Sequence, residues 1–483
     1  MYKRIFKKTT PLLALIAMFC VFSVANGAEV DFNADPMNQL RRFITGQDSK
    51  PMIPFILPDT DFAVNPENLK TKPKEWTVMV FMCARNDLEK FGLEDINEME
   101  KVGSDSRVNI VVQFAGLEAS PKRYYIDEDQ DMYTINSTVV ERPANVDMGS
   151  WKHLVEFAKW TKAKYPAKRY MLVVWNHGDG WKNIKNFSAN KGIAYDDITG
   201  NYITTEQLGF AMKEIGRVDI ISFDACLMQM AEVAYEIKNY ADVILASEET
   251  EPGAGYPYDK MLPQMIKNPS APLEQIVTKM IKEFHKYYYY KGKASTHSAL
   301  RTGAFDGFAN LLNEWADAAV NSNEKSGIKS AVSYAKSYAI ADNKDLYDFI
   351  ENVNTRITDS VLIEKGKRLQ SYIKTNLVIY SAATLKGSGV DEMSHGIAVY
   401  LPGYGYSSYY DKLTWARDAR WDEFLKSLNN SGYSSSGSST GSTGSTSSGN
   451  IGGCVDPGET APLSAQLAYL DCLLQLLNQL TGK

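Results

Sequence analysis

From Trp76 onward the chain alternates short, flatly apolar runs with longer stretches of helical periodicity, and this alternation limits the folds open to it. Trp76–Met82 (WTVMVFM), Asn109–Phe114 (NIVVQF), Tyr170–Trp175 (YMLVVW), Asp219–Phe223 (DIISF) and Val243–Ala246 (VILA) read as strands. Asp87–Val102, Lys152–Lys164 and Ile203–Ile215 read as helices, the last with Thr204 as its cap and Gln207 three residues on. Strands without polar alternation are buried on both faces, and helices between them imply a parallel sheet covered on both sides. The expected fold class is therefore α/β, with residues 75–260 as its main domain.

Residues 261–428 are richer in helical pattern, with Leu273–Tyr290, Phe305–Val320 and Ile328–Ala339, followed by strand-like Leu377–Tyr380 and Gly396–Leu401. They are expected to form a second, more helical lobe or an extension of the first. Residues 28–74 carry prolines at 36, 51, 54, 58, 66 and 73 and read as an extended lead-in. Residues 429–453 read as a flexible Ser/Gly linker. In the tail, residues 454–483, Leu463, Leu467, Leu470, Leu474 and Leu477 form one helical stripe expected to dock on the body or on a partner.

Residues 1–27 have the layout of a secretory leader: Lys3, Arg4, Lys7 and Lys8, an apolar run from Pro11 to Val24, and small residues before Ala28. The apolar run is short for a membrane span, and no second candidate follows it. The expected destination is export, whether periplasmic, cell-surface or secreted. Such a compartment permits disulfides, so Cys454 and Cys472, which flank the first half of the leucine stripe, are expected to pair. The formal net charge of −6 argues against a nucleic-acid binder and suits basic partners. None of the five cysteines falls in C-x-x-C spacing, so no structural metal site is expected.

In open α/β sheets chemistry collects at the carboxyl ends of strands. Strand Tyr170–Trp175 runs into Asn176-His177-Gly178-Asp179-Gly180-Trp181, and strand Asp219–Phe223 runs into Asp224-Ala225-Cys226. A thiol beside an imidazole is the pairing of a nucleophile with its acid–base partner. If a helix starts at Leu227, its dipole favours the Cys226 thiolate. Gly178 and Gly180 leave room for a substrate backbone and free amide N–H groups for an oxyanion. Cys83, at the end of the first strand, lacks a companion His-Gly and reads as core packing. His153, His285, His297 and His395 lack cysteine or carboxylate partners at useful spacing.

These segments together resemble the clostripain family of cysteine peptidases, distant relatives of the caspases. The resemblance rests on EWTVMVFMCARNDLE from Glu75, NHGDGW at 176–181, GIAYDD at 192–197, DACLMQMAEVAYEI at 224–237, SEETEPGAGYPY at 247–258, GIAVYLP at 396–402 and WDEFL at 421–425. It implies a caspase-like α/β/α sandwich, a catalytic dyad of His177 and Cys226, and an oxyanion hole from the amides of Gly178 and Cys226. Asp224, on the same strand face as Cys226, takes the position of the acid that selects Arg or Lys before the scissile bond. Its alternative role is to cap the following helix. Glu248 and Glu249 are left unassigned beside the same pocket. The resemblance requires no cofactor; Asp196 and Asp197 match a motif that leaves calcium open, although no EF-hand spacing surrounds them.

The implied activity is endopeptidase cleavage of protein or peptide substrates after basic residues. Two alternatives stand beside it: a related pocket selecting Asn or Asp, and a non-catalytic binding protein of the same fold. Lys182, Lys185 and Lys191 lie in a polar segment between the His and Cys strands, where such a peptidase would meet its own chain at high effective concentration. The expected self-cleavage falls between Lys191 and Gly192.

Overall fold

The computed structural model describes residues 72–181, 192–387 and 389–430. The leader, residues 28–71 of the lead-in, residues 431–453 of the linker, the tail, Lys182, Lys185, Lys191 and the cysteines Cys454 and Cys472 lie outside these residues. Ten strands form one sheet: β1 (Lys74–Ala84), β2 (Val108–Gly116), β3 (Lys122–Tyr125), β4 (Thr138–Glu141), β5 (Ala167–Trp175), β8 (Val218–Asp224), β9 (Ala241–Ala246), β10 (Ser295–Arg301), β12 (Val378–Leu385) and β13 (Gly389–Val390). Their spatial order is β13-β12-β10-β9-β8-β5-β1-β2-β3-β4. The five central strands, β2-β1-β5-β8-β9, run parallel, and antiparallel strands extend both edges. Two small ribbons stand apart, β6 (Ile193–Asp196) with β7 (Asn201–Ile203) and β11 (Asn343–Asp345) with β14 (Ala398–Tyr400).

Alternation along β1 sends its side chains into two separate cores. Met79, Phe81 and Cys83 join Leu172, Val174, Ile221 and Phe223 on one face, beneath the helices Trp151–Lys164, Thr205–Ile215 and Ala231–Ile237. Trp76, Val78, Val80 and Met82 join Val112, Val173 and Ile220 on the other, beneath the helices Tyr258–Ile266 and Leu273–Tyr290. Each fully buried large apolar side chain contributes roughly 1.5–3 kcal/mol, so a sheet apolar on both faces is the main source of cohesion. Thr204 and Gln207 form the expected reciprocal cap.

Residues 261–428 are largely helical, yet they do not stand apart at residue 260. β10 pairs antiparallel with β9, and β12 with β10, so this stretch completes the same sheet. The strand expected from Gly396 is shorter and pairs with β11 in its own ribbon. The helix expected to reach Ala339 ends at Tyr334.

Candidate active site

β5 and β8 pair in parallel with Trp175 opposite Asp224, so His177 and Cys226 lie just past neighbouring strand ends. Asn176 fixes this corner. Its backbone N–H donates to the Asp224 carbonyl at 3.2 Å, its Oδ1 accepts from Tyr195 N–H at 3.1 Å, and its Nδ2 donates to the Cys83 carbonyl. A Cβ on Gly178 would stand 2.5 Å from the Cys226 carbonyl oxygen. The space beside Gly178 is thus filled by the Cys226 backbone, which corrects the expectation that it is left for substrate. Gly180 has φ +68°, and a Cβ there would meet Met230 Sδ at 2.5 Å.

Cys226 does not begin a helix. Leu227 takes φ +62° in a turn, Met230 N–H bonds back to the Met228 carbonyl at 2.9 Å, and the helix starts at Ala231. The dipole expected to favour the thiolate is therefore absent from this position. Burial pushes the Cys226 thiol up, and the carboxylates of Asp179, Asp224 and Glu249 add to the effect; the Glu251 N–H, which donates to Sγ at 3.3 Å, opposes it. The His177 ring is hydrogen-bonded through Nε2 to Asp87 Oδ1 at 2.7 Å. Among the described residues no hydrogen bond joins the imidazole to the thiol.

Asp224 caps no helix. Its carboxyl accepts from Tyr256 N–H at 3.1 Å and from Tyr258 OH at 2.8 Å, and burial lifts its pKa to about 6. Only 4 % of the residue is exposed, because Gly255 and Tyr258 close over it. Beside it lies Glu251, whose carboxyl is pushed well up by burial and then by the Asp224 charge. A third acid, Asp95, is held by Trp175 Nε1 at 2.7 Å and is likewise raised by burial and by Asp224. No lysine or arginine among the described residues pairs with any of the three. The nearest base to Glu251 is His297, whose Nδ1 is 3.5 Å away and whose pKa burial depresses to about 3, which keeps it neutral.

Glu248 accepts from Tyr338 OH and Gly396 N–H, and Glu249 accepts from Ala339 N–H while its charge still acts on the Cys226 thiol. The acid next to Asp224 is Glu251, two residues later. His395 also has a carboxylate partner, Asp345, at 3.1 Å, which spacing alone hid. Asp196 spends both oxygens on protein donors, Arg85 and Met148 N–H on one, Ile198 and Thr199 N–H on the other, and so is a hub for its own loop. No group of three or more metal-ligating side chains occurs among the described residues. Cys83 is fully buried, donates to the Tyr195 carbonyl and acts as core. Gly192 has φ +145°, and a Cβ on it would strike the Ile203 carbonyl.

The parallel sheet brings a thiol and an imidazole to adjacent strand ends, next to a recessed acid cluster. The Clostripain family model matches residues 80–428, and the chain belongs to that family. It is 26% identical over 428 residues to clostripain from Hathewaya histolytica, a match covering 72% of this chain and 78% of that protein. Among solved structures it is similar to an inactive zymogen C11 protease from Parabacteroides distasonis, at 22% identity and a TM-score of 0.57, covering 72% of this chain and 99% of the other. A secreted C11 cysteine protease from Bacteroides thetaiotaomicron, in complex with an irreversible peptide inhibitor, matches with the same identity, coverage and TM-score. The protein is a cysteine-type endopeptidase. Among the described residues no helix is long and apolar enough to cross a membrane.

Proposed function

We propose that this peptidase cleaves after Lys or Arg through Cys226 and His177. The Cys226 thiolate attacks the scissile carbonyl carbon, and the oxyanion is received by the N–H groups of Gly178 and Cys226. His177 protonates the leaving amine, and water then hydrolyses the thioester. The observation that carries the basic preference is the buried acid cluster of Asp224 with Glu251 and Asp95, which has no lysine or arginine partner among the described residues. Burial favours the protonated form of each acid, and an entering substrate ammonium or guanidinium would favour the ionised form and hold it by a charge-assisted bond. Because Asp224 is closed over, the 249–256 segment moves outward when the side chain before the scissile bond enters.

Export directed by residues 1–27 and self-cleavage after Lys191 complete the proposal, with the leucine-striped tail beyond the 429–453 linker as a separate docking element. Fluorogenic peptides with Arg, Lys, Asn or Asp before the reporter test it. Turnover confined to Arg and Lys is expected, and equal turnover of an Asn or Asp peptide would overturn it.

A further inference from the structure

We infer that Asp87 is a positioning residue for His177: its carboxylate fixes the imidazole tautomer and stabilises the imidazolium that forms when Cys226 gives up its proton. This rests on the dyad reading above.

Asp87 lies just past β1, immediately beside β5 in the sheet, and it arrives from a fixed frame. Its neighbour Asn86 is 2 % exposed, donates to the Tyr195 carbonyl at 3.0 Å and accepts from Leu88 N–H at 3.0 Å. Two residues on, the Glu89 carboxylate is held by the N–H groups of Leu117 and Ala119, each at 3.0 Å. Between these anchors Asp87 projects beside the start of the helix Glu89–Glu100, where a negative charge is favoured. Its Oδ1 meets His177 Nε2 at 2.7 Å.

A carboxylate can only accept, so Nε2 carries the hydrogen and Nδ1 is left as the basic nitrogen. When the thiol ionises, its proton moves from Sγ to Nδ1; the Nε2 hydrogen stays on the ring, and the Asp87 carboxylate stays unprotonated. On acylation the Nδ1 proton passes to the leaving amine. The role is needed because the thiol side offers little help. No helix starts at Cys226, its surroundings are buried, and Asp179, Asp224 and Glu249 disfavour a further negative charge. The ion pair must then be favoured from the imidazole side. The other carboxylate acting on His177 is Asp179, half-buried and bonded to Tyr195 OH at 3.2 Å. The groups facing Cys226 are Asp179, Asp224, Glu249 and Glu251.

This arrangement has a kinetic signature. The thiol and the imidazole titrate as a coupled pair, so a change at the imidazole is read in the pH profile of both. Removing the Asp87 charge disfavours the imidazolium, so the acid limb of kcat/KM is expected to move down and the plateau to fall with it. The Asp87 side chain is 80 % exposed, so solvent weakens the contact and the expected fall in the plateau is modest, roughly three- to tenfold.

The experiment measures kcat and KM from pH 5 to 9 for wild type, Asp87→Asn and Asp87→Ala, with active sites titrated by an irreversible inhibitor so that misfolded enzyme is not counted. Asp87→Asn should show the linked limb shift and plateau fall with KM within about twofold. Asp87→Ala should lose further kcat, from loss of orientation, without a further limb shift. Unchanged profiles, a fall in kcat with no limb shift in either variant, or a rise in activity would overturn the inference. Cys226→Ala and His177→Ala are run beside them. If Cys226→Ala retains more than a few per cent of turnover, or His177→Ala keeps most of it, the dyad reading fails, whereas impaired dyad variants with Asp87 variants that behave as wild type sink the role of Asp87 alone.

Discussion

Asp224→Asn should raise stability and lower activity together. In the folded protein burial holds the carboxyl at about 6, against an ordinary aspartate value of 3.8. Below pH 3.8 the group is protonated whether folded or not, and it costs the fold nothing. As pH rises from 3.8 to 6 the unfolded chain ionises first, so stability is lost across that window and stays lost above it. Two units at about 1.4 kcal/mol each give an upper bound of about 3 kcal/mol. An asparagine keeps an acceptor for Tyr256 N–H and Tyr258 OH but not all of the original bonding, so a gain of about 1–2 kcal/mol at pH 8 is a fair expectation. With a urea dependence of about 3 kcal/mol/M, the midpoint rises by about 0.3–0.7 M at pH 8 and hardly moves at pH 4. On Arg and Lys substrates the same variant should lose one to two decades of kcat/KM, because a charge-assisted contact becomes a neutral one. Urea titrations at both pH values, on protein also bearing Cys226→Ala to suppress self-digestion, check the first half. A variant that is less stable at pH 8, or one cleaving Arg peptides at the wild-type rate, would refute the reasoning.

Cys226→Ala should abolish turnover while leaving the thermal midpoint within a few degrees, and His177→Ala should lose most activity; residual turnover of Cys226→Ala above a few per cent of wild type contradicts the nucleophile. Gly178→Ala drives a Cβ to 2.5 Å from the Cys226 carbonyl and must push the two catalytic loops apart by most of an ångström. A stability cost of about 1–3 kcal/mol and a kcat loss on the order of 100-fold are expected, and near-normal kinetics would show that the loops tolerate the shift. Active enzyme should yield a second N-terminus at Gly192 that is missing from Cys226→Ala, and N-terminal sequencing decides this: a fully active uncut chain excludes obligatory processing. Non-reducing peptide mapping should find Cys454 joined to Cys472, with Cys83 and Cys226 free.

The five central strands were legible because their apolar runs are uninterrupted, the mark of burial on both faces. β10 was not: Ser295, Thr296, His297 and Ser298 look like a loop, yet all are buried. Their hydroxyls are satisfied by Thr384, Ser247 and Gln229, contacts no local pattern reveals. β3 (KRYY) and β4 (TVVE) are four residues each, too short for a period. At the site, the strand-end rule located His177 and Cys226. The apolar Leu227–Met230 segment mimicked the first turn of a helix, and the positive φ of Leu227 that breaks it has no sequence mark. Asp87 and Glu251 were hidden for another reason: each meets its partner across the sheet, 90 residues from His177 and 25 from Cys226.

The line between β5 and β8 has a further consequence. Every strand before residue 181 lies on one side of it, and among the sheet strands everything from β8 onward lies on the other. A nick between Lys191 and Gly192 would therefore divide the molecule along a seam of buried main-chain pairs from Met171–Ile220 to Trp175–Asp224, with Trp181 wedged against Tyr400 and Tyr410. The two pieces stay together because the seam is interior, but once separated they must find each other in solution. Processing thus turns folding from a first-order into a second-order reaction, and the lifetime of the mature enzyme becomes a matter of its unfolding rate and concentration instead of an equilibrium within one chain.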